Sequence, residues 1–123
     1  MQIARPAQEV WELVGDPGRV EEWFPGIISS SVTGDERVIT DAAGHEISET
    51  IVTLNPLQRR FQHEMRLPMF RSHLGTLDVI EIDDQHCMVV YGTDAEPATI
   101  ALAVAGAVGA ALDNLDDLLT GGV

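Results

Sequence analysis

Two periodicities divide the chain. In the first part apolar residues return at helical spacing: Val10, Leu13 and Val14 in "PAQEVWELVG", then Val20, Trp23 and Phe24 in "DPGRVEEWFPG". Pro6 suits a first helical turn and Gly15 a stop, while Asp16 is placed to cap a second short helix that has Pro17 at its first position and ends at Pro25 and Gly26. Helices this short do not stand alone in water, so the pair needs a surface to cover. Trp11 and Trp23, the two tryptophans of the chain, are the large apolar groups that can cover it.

After Gly26 the period changes to alternation broken by turn formers. The pattern predicts strands at residues 27–33, 37–40, 46–54, 59–66, 72–82 and 87–95, joined by "TGDE", "DAAG", "LNPLQ", "RLPMFR" and "DDQH". An antiparallel meander follows, with residues 1–4 as one more short strand ahead of the helices. Pro97 then opens a single long helix. Ile100, Val104, Val108, Leu112, Leu115 and Leu119 form a stripe suited to lying on the sheet. Beside it Ala101, Ala103, Ala105, Gly106, Ala107, Gly109 and Ala110 fill little space, so the stripe is flanked by room for a cavity or for a close neighbour. The two glycines ask for a reason, since Gly inside a helix costs up to about 1 kcal/mol relative to Ala. The uncharged run 98–112 is shorter than the roughly 20 strongly apolar residues of a membrane span, and membrane insertion is not expected.

Composition narrows the partners. At 123 residues and 45% hydrophobic content the chain reads as a single domain with one sizeable core. A net charge of -13, with seven Lys and Arg in no cluster, excludes nucleic acid and anionic membrane surfaces as natural partners. A lone Cys87 and the lack of a basic, then apolar, leader point to the cytoplasm.

Candidate chemistry is sparse. There is no Ser-His-Asp arrangement, no Cys/His metal spacing and no phosphate-binding glycine loop, so neither metal nor cofactor is expected. His45 and His86 fall in turns and read as exposed. His63 shares a strand face with Phe61 and Met65, and Glu49 shares one with Ile47 and Ile51. A buried imidazole is ordinarily a hydrogen-bonded core group; a buried carboxylate is costly without a partner, which makes Glu49 the sharper candidate. On adjacent strands and the same face the two would form an acid–base pair, but strand register decides that and the sequence leaves it open. Tyr91 is the third candidate for acid–base work, and His73 and Asp78 are further polar groups for a pocket. Asp113, Asp116 and Asp117 near the end of the long helix read as solvated.

The stretches "RPAQEVWELVGDPGRVEEWFPGI", "ISETIVTLNPLQRRFQHEM" and "VVYGTDAEP" resemble the START-related SRPBCC superfamily of polyketide cyclases and dehydratases, lipid-transfer domains and pollen allergens. The resemblance implies an α+β helix-grip fold: a curved antiparallel sheet of about six to seven strands around the long C-terminal helix, with the helical V closing a cavity. Relatives commonly carry an aromatic residue, often Tyr, where this chain has His63, and Trp where it has Tyr91, which implies a more polar or roomier cavity here. It further implies a small hydrophobic ligand, a lipid, polyketide or similar metabolite. Trp23, Phe24, Glu49, Ile51, Phe61, His63, Phe70, His73, Asp78, Tyr91, Ala101, Ala105 and Val108 are the expected ligand contacts. The alternatives are a cyclase- or dehydratase-type enzyme using Glu49 with His63 or Tyr91, and a ligand-free protein-interaction module. The uncharged helix and the short first strand add a choice between a homodimer, through the Ala103, Ala107 and Ala110 face or an exposed sheet edge, and a monomer that covers its own helix.

Overall fold

The computed structural model describes residues 1–121. Strand β1 (Gln2–Ile3) leads into helix α1 (Ala7–Val14), which buries Ala7, Val10, Trp11, Leu13 and Val14. Gly15 ends it at a close approach: a Cβ there would lie 2.6 Å from the Trp11 ring. The second helix of the V is a 3₁₀ helix, Pro17–Glu22, capped by the Asp16 carboxylate accepting from the Gly18 N–H at 3.0 Å. Pro17 and Gly18 leave too few helix-forming residues for an α-helix, and the segment closes with the tighter bonds Arg19 N–H to Asp16 O and Trp23 N–H to Val20 O.

Strands β2 (Ile27–Thr33), β3 (Glu36–Asp41), β4 (Glu46–Asn55), β5 (Arg60–Arg66), β6 (Ser72–Asp83) and β7 (His86–Glu96) follow, each within a residue or two of its expected span. They build one antiparallel sheet in the order β1-β7-β6-β5-β4-β3-β2. Register shifts in β2, β4 and β6 mark bulges that help curve it.

Helix α2 (Ala98–Thr120) lies in the grip of this sheet, so the fold is the expected α+β helix grip. Its halves differ. Val108, Ala111 and Leu115 are buried, and Asn114 Nδ2 donates to the Trp23 carbonyl at 2.8 Å, tying the helix to the V. Of the expected stripe, Ile100, Val104, Leu112 and Leu119 are only half-buried. Leu102 is 75% exposed, and Ala103, Ala105, Gly106, Ala107, Gly109 and Ala110 are exposed as well. At 23 residues and a mean hydropathy of 1.6 the helix is long and apolar enough to cross a bilayer by those measures alone, and only 17% of that stretch is buried. The helix runs beyond the uncharged run 98–112, through Asp113, Asp116 and Asp117, as the stripe reaching Leu119 implied.

One irregularity bears on the site. Pairing between β5 and β6 runs from Arg60↔Asp78 to His63↔Gly75 and stops. Beyond that point β5 pairs only with β4 and β6 only with β7, so the sheet forks.

Candidate functional site

Register brings the polar inward residues together. Arg37 on β3 lies directly opposite Glu49 on β4, Ile51 on β4 lies opposite His63 on β5, and Leu77 on β6 lies opposite Tyr91 on β7. Arg37 donates from Nε at 2.8 Å and approaches with Nη2 at 2.7 Å, both to Glu49 Oε1, while its Nη1 donates to the Pro17 carbonyl at 3.2 Å. The other carboxylate oxygen lies 2.8 Å from His63 Nδ1, off the line of the ring N–H, so this contact is an electrostatic one more than a well-formed hydrogen bond. His63 Nε2 meets the Tyr91 hydroxyl at 2.8 Å. Arg37, Glu49 and His63 are all buried, and the Arg37 guanidinium sits 5.2 Å from the centre of the Phe61 ring.

The carboxylate and the cation offset each other's burial. Burial alone pushes the Glu49 carboxyl up, but His63 and Arg37 more than offset it and hold it below its ordinary value. Burial and the Glu49 charge push the Tyr91 phenol up, against a smaller opposing pull from Arg37, so Tyr91 stays a hydroxyl and a proton donor. Gly75 makes the arrangement possible, since a Cβ there would lie 2.6 Å from His63 Nε2. His73 accepts the Met65 backbone N–H on Nδ1 at 2.8 Å and packs near the Phe70 and His63 rings. Burial, then the nearby His63, lowers its pKa.

These groups form one wall of a cavity of about 360 Å³ between sheet and helix. Val20, Phe24, Ile27, Ile39, Ile47, Met65, Val104 and Val108 supply the apolar lining, Thr93 joins Tyr91 on β7, and Pro25, Gly26, Asp41 and the exposed Ala103 and Ala107 complete it. A larger cleft of about 890 Å³ lies at the fork, open and lined by Glu64, Arg66, Arg71, Asp94 and Glu96 among others. The cavity is the candidate site because it holds the buried polar chain; Met65 and His73 line both spaces.

Of the expected contacts, Phe24, Glu49, His63, His73, Tyr91 and Val108 line the cavity. The other seven do not. Asp78 points to the outer face, where it pairs with Arg60 at 2.8 Å. Trp23 and Phe61 are core anchors, and Ile51 packs against that core. Phe70 lines the outer cleft. Ala101 is half-buried and Ala105 exposed, because the first half of α2 does not lie flat on the sheet. Ala103 and Ala107, expected on a dimer face, are exposed and also line the cavity. Arg37 was missed; its signal was a cation alternating in phase with Ile39 on an otherwise apolar strand face. Among the described residues no cluster of His, Cys, Asp or Glu is suited to hold a metal ion.

A curved antiparallel sheet gripping a long helix over a cavity defines a helix-grip protein. The chain belongs to the polyketide cyclase / dehydrase and lipid transport family, whose model matches residues 1–120, and so to the SRPBCC superfamily. No curated protein sequence matches it. Among solved structures it is similar to a Thermobifida fusca protein at 27% identity, with a TM-score of 0.78 over 99% of this chain and 91% of that one. The di-domain ARO/CYC BexL of the BE-7585A biosynthetic pathway shares the fold at 20% identity and a TM-score of 0.79, over 94% of this chain and 43% of that one. So does norcoclaurine synthase of Thalictrum flavum, solved with dopamine and hydroxybenzaldehyde, at 18% identity and a TM-score of 0.70 over 100% and 84%.

Proposed function

We propose that the protein binds a small, mainly apolar organic molecule in the cavity under α2, with Tyr91 as a polar contact. The observation that carries this reading is a buried chain, Arg37–Glu49–His63–Tyr91, that surfaces at Tyr91 in an otherwise apolar space of ligand size. A ligand-free interaction module has no use for such a space. Native mass spectrometry of protein purified from its own host, followed by extraction, tests the reading. A reproducible hydrophobic small molecule supports it, and consistently empty protein that also takes up no apolar probe overturns it.

The same chain favours a second reading, an acid–base enzyme of the cyclase or dehydratase kind. Relatives named as an ARO/CYC and as norcoclaurine synthase share the fold. With Glu49 ionised beside Nδ1, His63 Nε2 and the Tyr91 hydroxyl share a hydrogen bond that holds the hydroxyl in place to donate to a substrate oxygen on which negative charge develops. Glu49→Gln separates the readings: turnover lost with ligand binding and folding intact establishes the enzyme. We further propose a cytoplasmic setting, on the lone buried thiol of Cys87, and self-association through the exposed first half of α2. Sedimentation at micromolar concentration tests the latter; a wild type as monomeric as Leu102→Glu overturns it.

A further inference from the structure

The polar side chains of the cavity divide into those whose hydrogen-bonding capacity is spent and those with capacity left. Arg37 is used by Glu49 and the Pro17 carbonyl, and His63 is closed in, with Nε2 on the Tyr91 hydroxyl and Nδ1 held against Glu49 without a formed hydrogen bond and out of reach of the cavity. His73 differs. Where the β5–β6 ladder stops, the Met65 N–H has lost its strand partner, and His73 Nδ1 takes that place at 2.8 Å. A nitrogen that accepts carries no proton, so the ring hydrogen sits on Nε2. Nε2 has no protein acceptor among the described residues, although His73 is only 7% exposed. That nitrogen is not sealed among protein atoms, so it is free to donate to what enters the space His73 lines.

Its surroundings say what that partner is. Gly75 pairs with Thr93 and His73 with Ala95, so Thr93 stands diagonally beside His73 on the same inward face, with Tyr91 two residues further along. The Thr93 hydroxyl makes no side-chain hydrogen bond among the described residues, and Tyr91 keeps capacity beyond its bond to His63. Across the cavity stand Phe24, Ile39, Ile47 and Val104.

We propose that His73 Nε2–H, flanked by the Thr93 hydroxyl, is the point at which the cavity recognises a hydrogen-bond-accepting oxygen of its ligand. The ligand class then narrows to compact apolar molecules bearing a ketone, quinone or ester oxygen, as opposed to hydrocarbons and plain acyl tails. The assignment rests on the cavity-binding reading above. The lowered pKa of His73 keeps the ring neutral near pH 7, with Nδ1 free to hold Met65 and Nε2 to donate.

The test compares two probes of matched shape, 2-acetylnaphthalene and 2-isopropylnaphthalene, binding to wild type, His73→Phe and His73→Gln, each checked for folding by thermal unfolding. The phenylalanine variant is expected to weaken the ketone about fivefold to tenfold, the worth of one hydrogen bond to a buried oxygen, and to leave the hydrocarbon within about twofold. The glutamine variant, whose amide both accepts and donates, is expected to retain most of the ketone affinity. Nitrogen-15 shifts of the free wild type should show the Nε2–H tautomer at His73. Equal loss of both probes, no loss of either, or the Nδ1–H tautomer overturns the assignment while the cavity-binding reading stands. Failure of both probes to bind wild type overturns that reading and the assignment with it.

Discussion

The two long walls of the cavity are built on opposite terms. On the sheet side Arg37, Glu49 and His63 are buried and held by one another, with Gly75 keeping the space His63 occupies. On the helix side Ala103 and Ala107 are exposed, and a Cβ added at Gly106 or Gly109 meets no other atom within 4 Å. A wall whose polar groups have no alternative partners cannot shift without large cost, whereas a wall of small, loosely covered side chains can. On the cavity-binding reading proposed above, recognition would belong to the sheet and ease of opening to the helix.

The largest expected effect breaks the rigid wall. Glu49→Leu strands the buried Arg37 guanidinium and is expected to cost about 3–5 kcal/mol, measured by urea unfolding. Adding Arg37→Met should recover most of that loss, since apolar residues replace a buried ion pair at little cost, while leaving His63 without its anchor. A double variant as unstable as the single one would mean that packing, not charge, holds this wall. Gly75→Ala comes next: a Cβ 2.6 Å from His63 Nε2 overpacks the wall, at about 1–3 kcal/mol, and should break the His63–Tyr91 contact. Nitrogen-15 shifts of His63 unchanged in that variant would contradict it.

Acid sharpens the comparison further, because the titrating groups lie on the sheet wall. His73 faces His63 and Glu64 from β5, Glu49 from β4, and Arg71, Asp94 and Glu96 around the fork. Its folded pKa lies below the ordinary 6.5, so the unfolded chain takes up the proton first; the stability this gives is complete above 6.5 and is lost as pH falls toward the lowered value. Glu49, also held below its ordinary 4.5, adds a second decline that begins under that pH. Thermal unfolding across pH should show both steps, and His73→Gln should remove the first alone.

The two walls were also unequally legible in the sequence. Strand spans, the helical V and α2 follow from periodicity and from Pro6, Gly15 and Pro97, because those signals are local. The inward phase of Glu49 and His63 could be read from alternation, yet their meeting needed the bulge between Ile51 and Thr53 and the register it sets. Asp78 was misplaced by one step of alternation: it lies between the buried Leu77 and Val79, and its partner Arg60 is on the outer face. The fork that fixes His73 has no sequence signature, since residues 64–66 and 72–74 read as ordinary strand.

The smallest effect tests the helix wall. With open space around both positions, Gly106→Ala and Gly109→Ala are each expected to stabilise the fold by up to about 1 kcal/mol, raising Tm by several degrees together. If the loosely covered half of α2 is the part that moves to admit a ligand, the double variant should also take up an apolar probe more slowly, with equilibrium affinity unchanged. Stopped-flow fluorescence of Trp23, which packs 6.1 Å from Tyr91 at the cavity wall, supplies the readout. A more stable protein with unaltered uptake would place the moving part elsewhere. The fork between β5 and β6 is then the remaining route, because Met65 and His73 are the side chains that separate the outer cleft from the cavity. In that case Phe70→Ala, which uncovers His73 from the cleft side, should speed uptake where the helix variants did not.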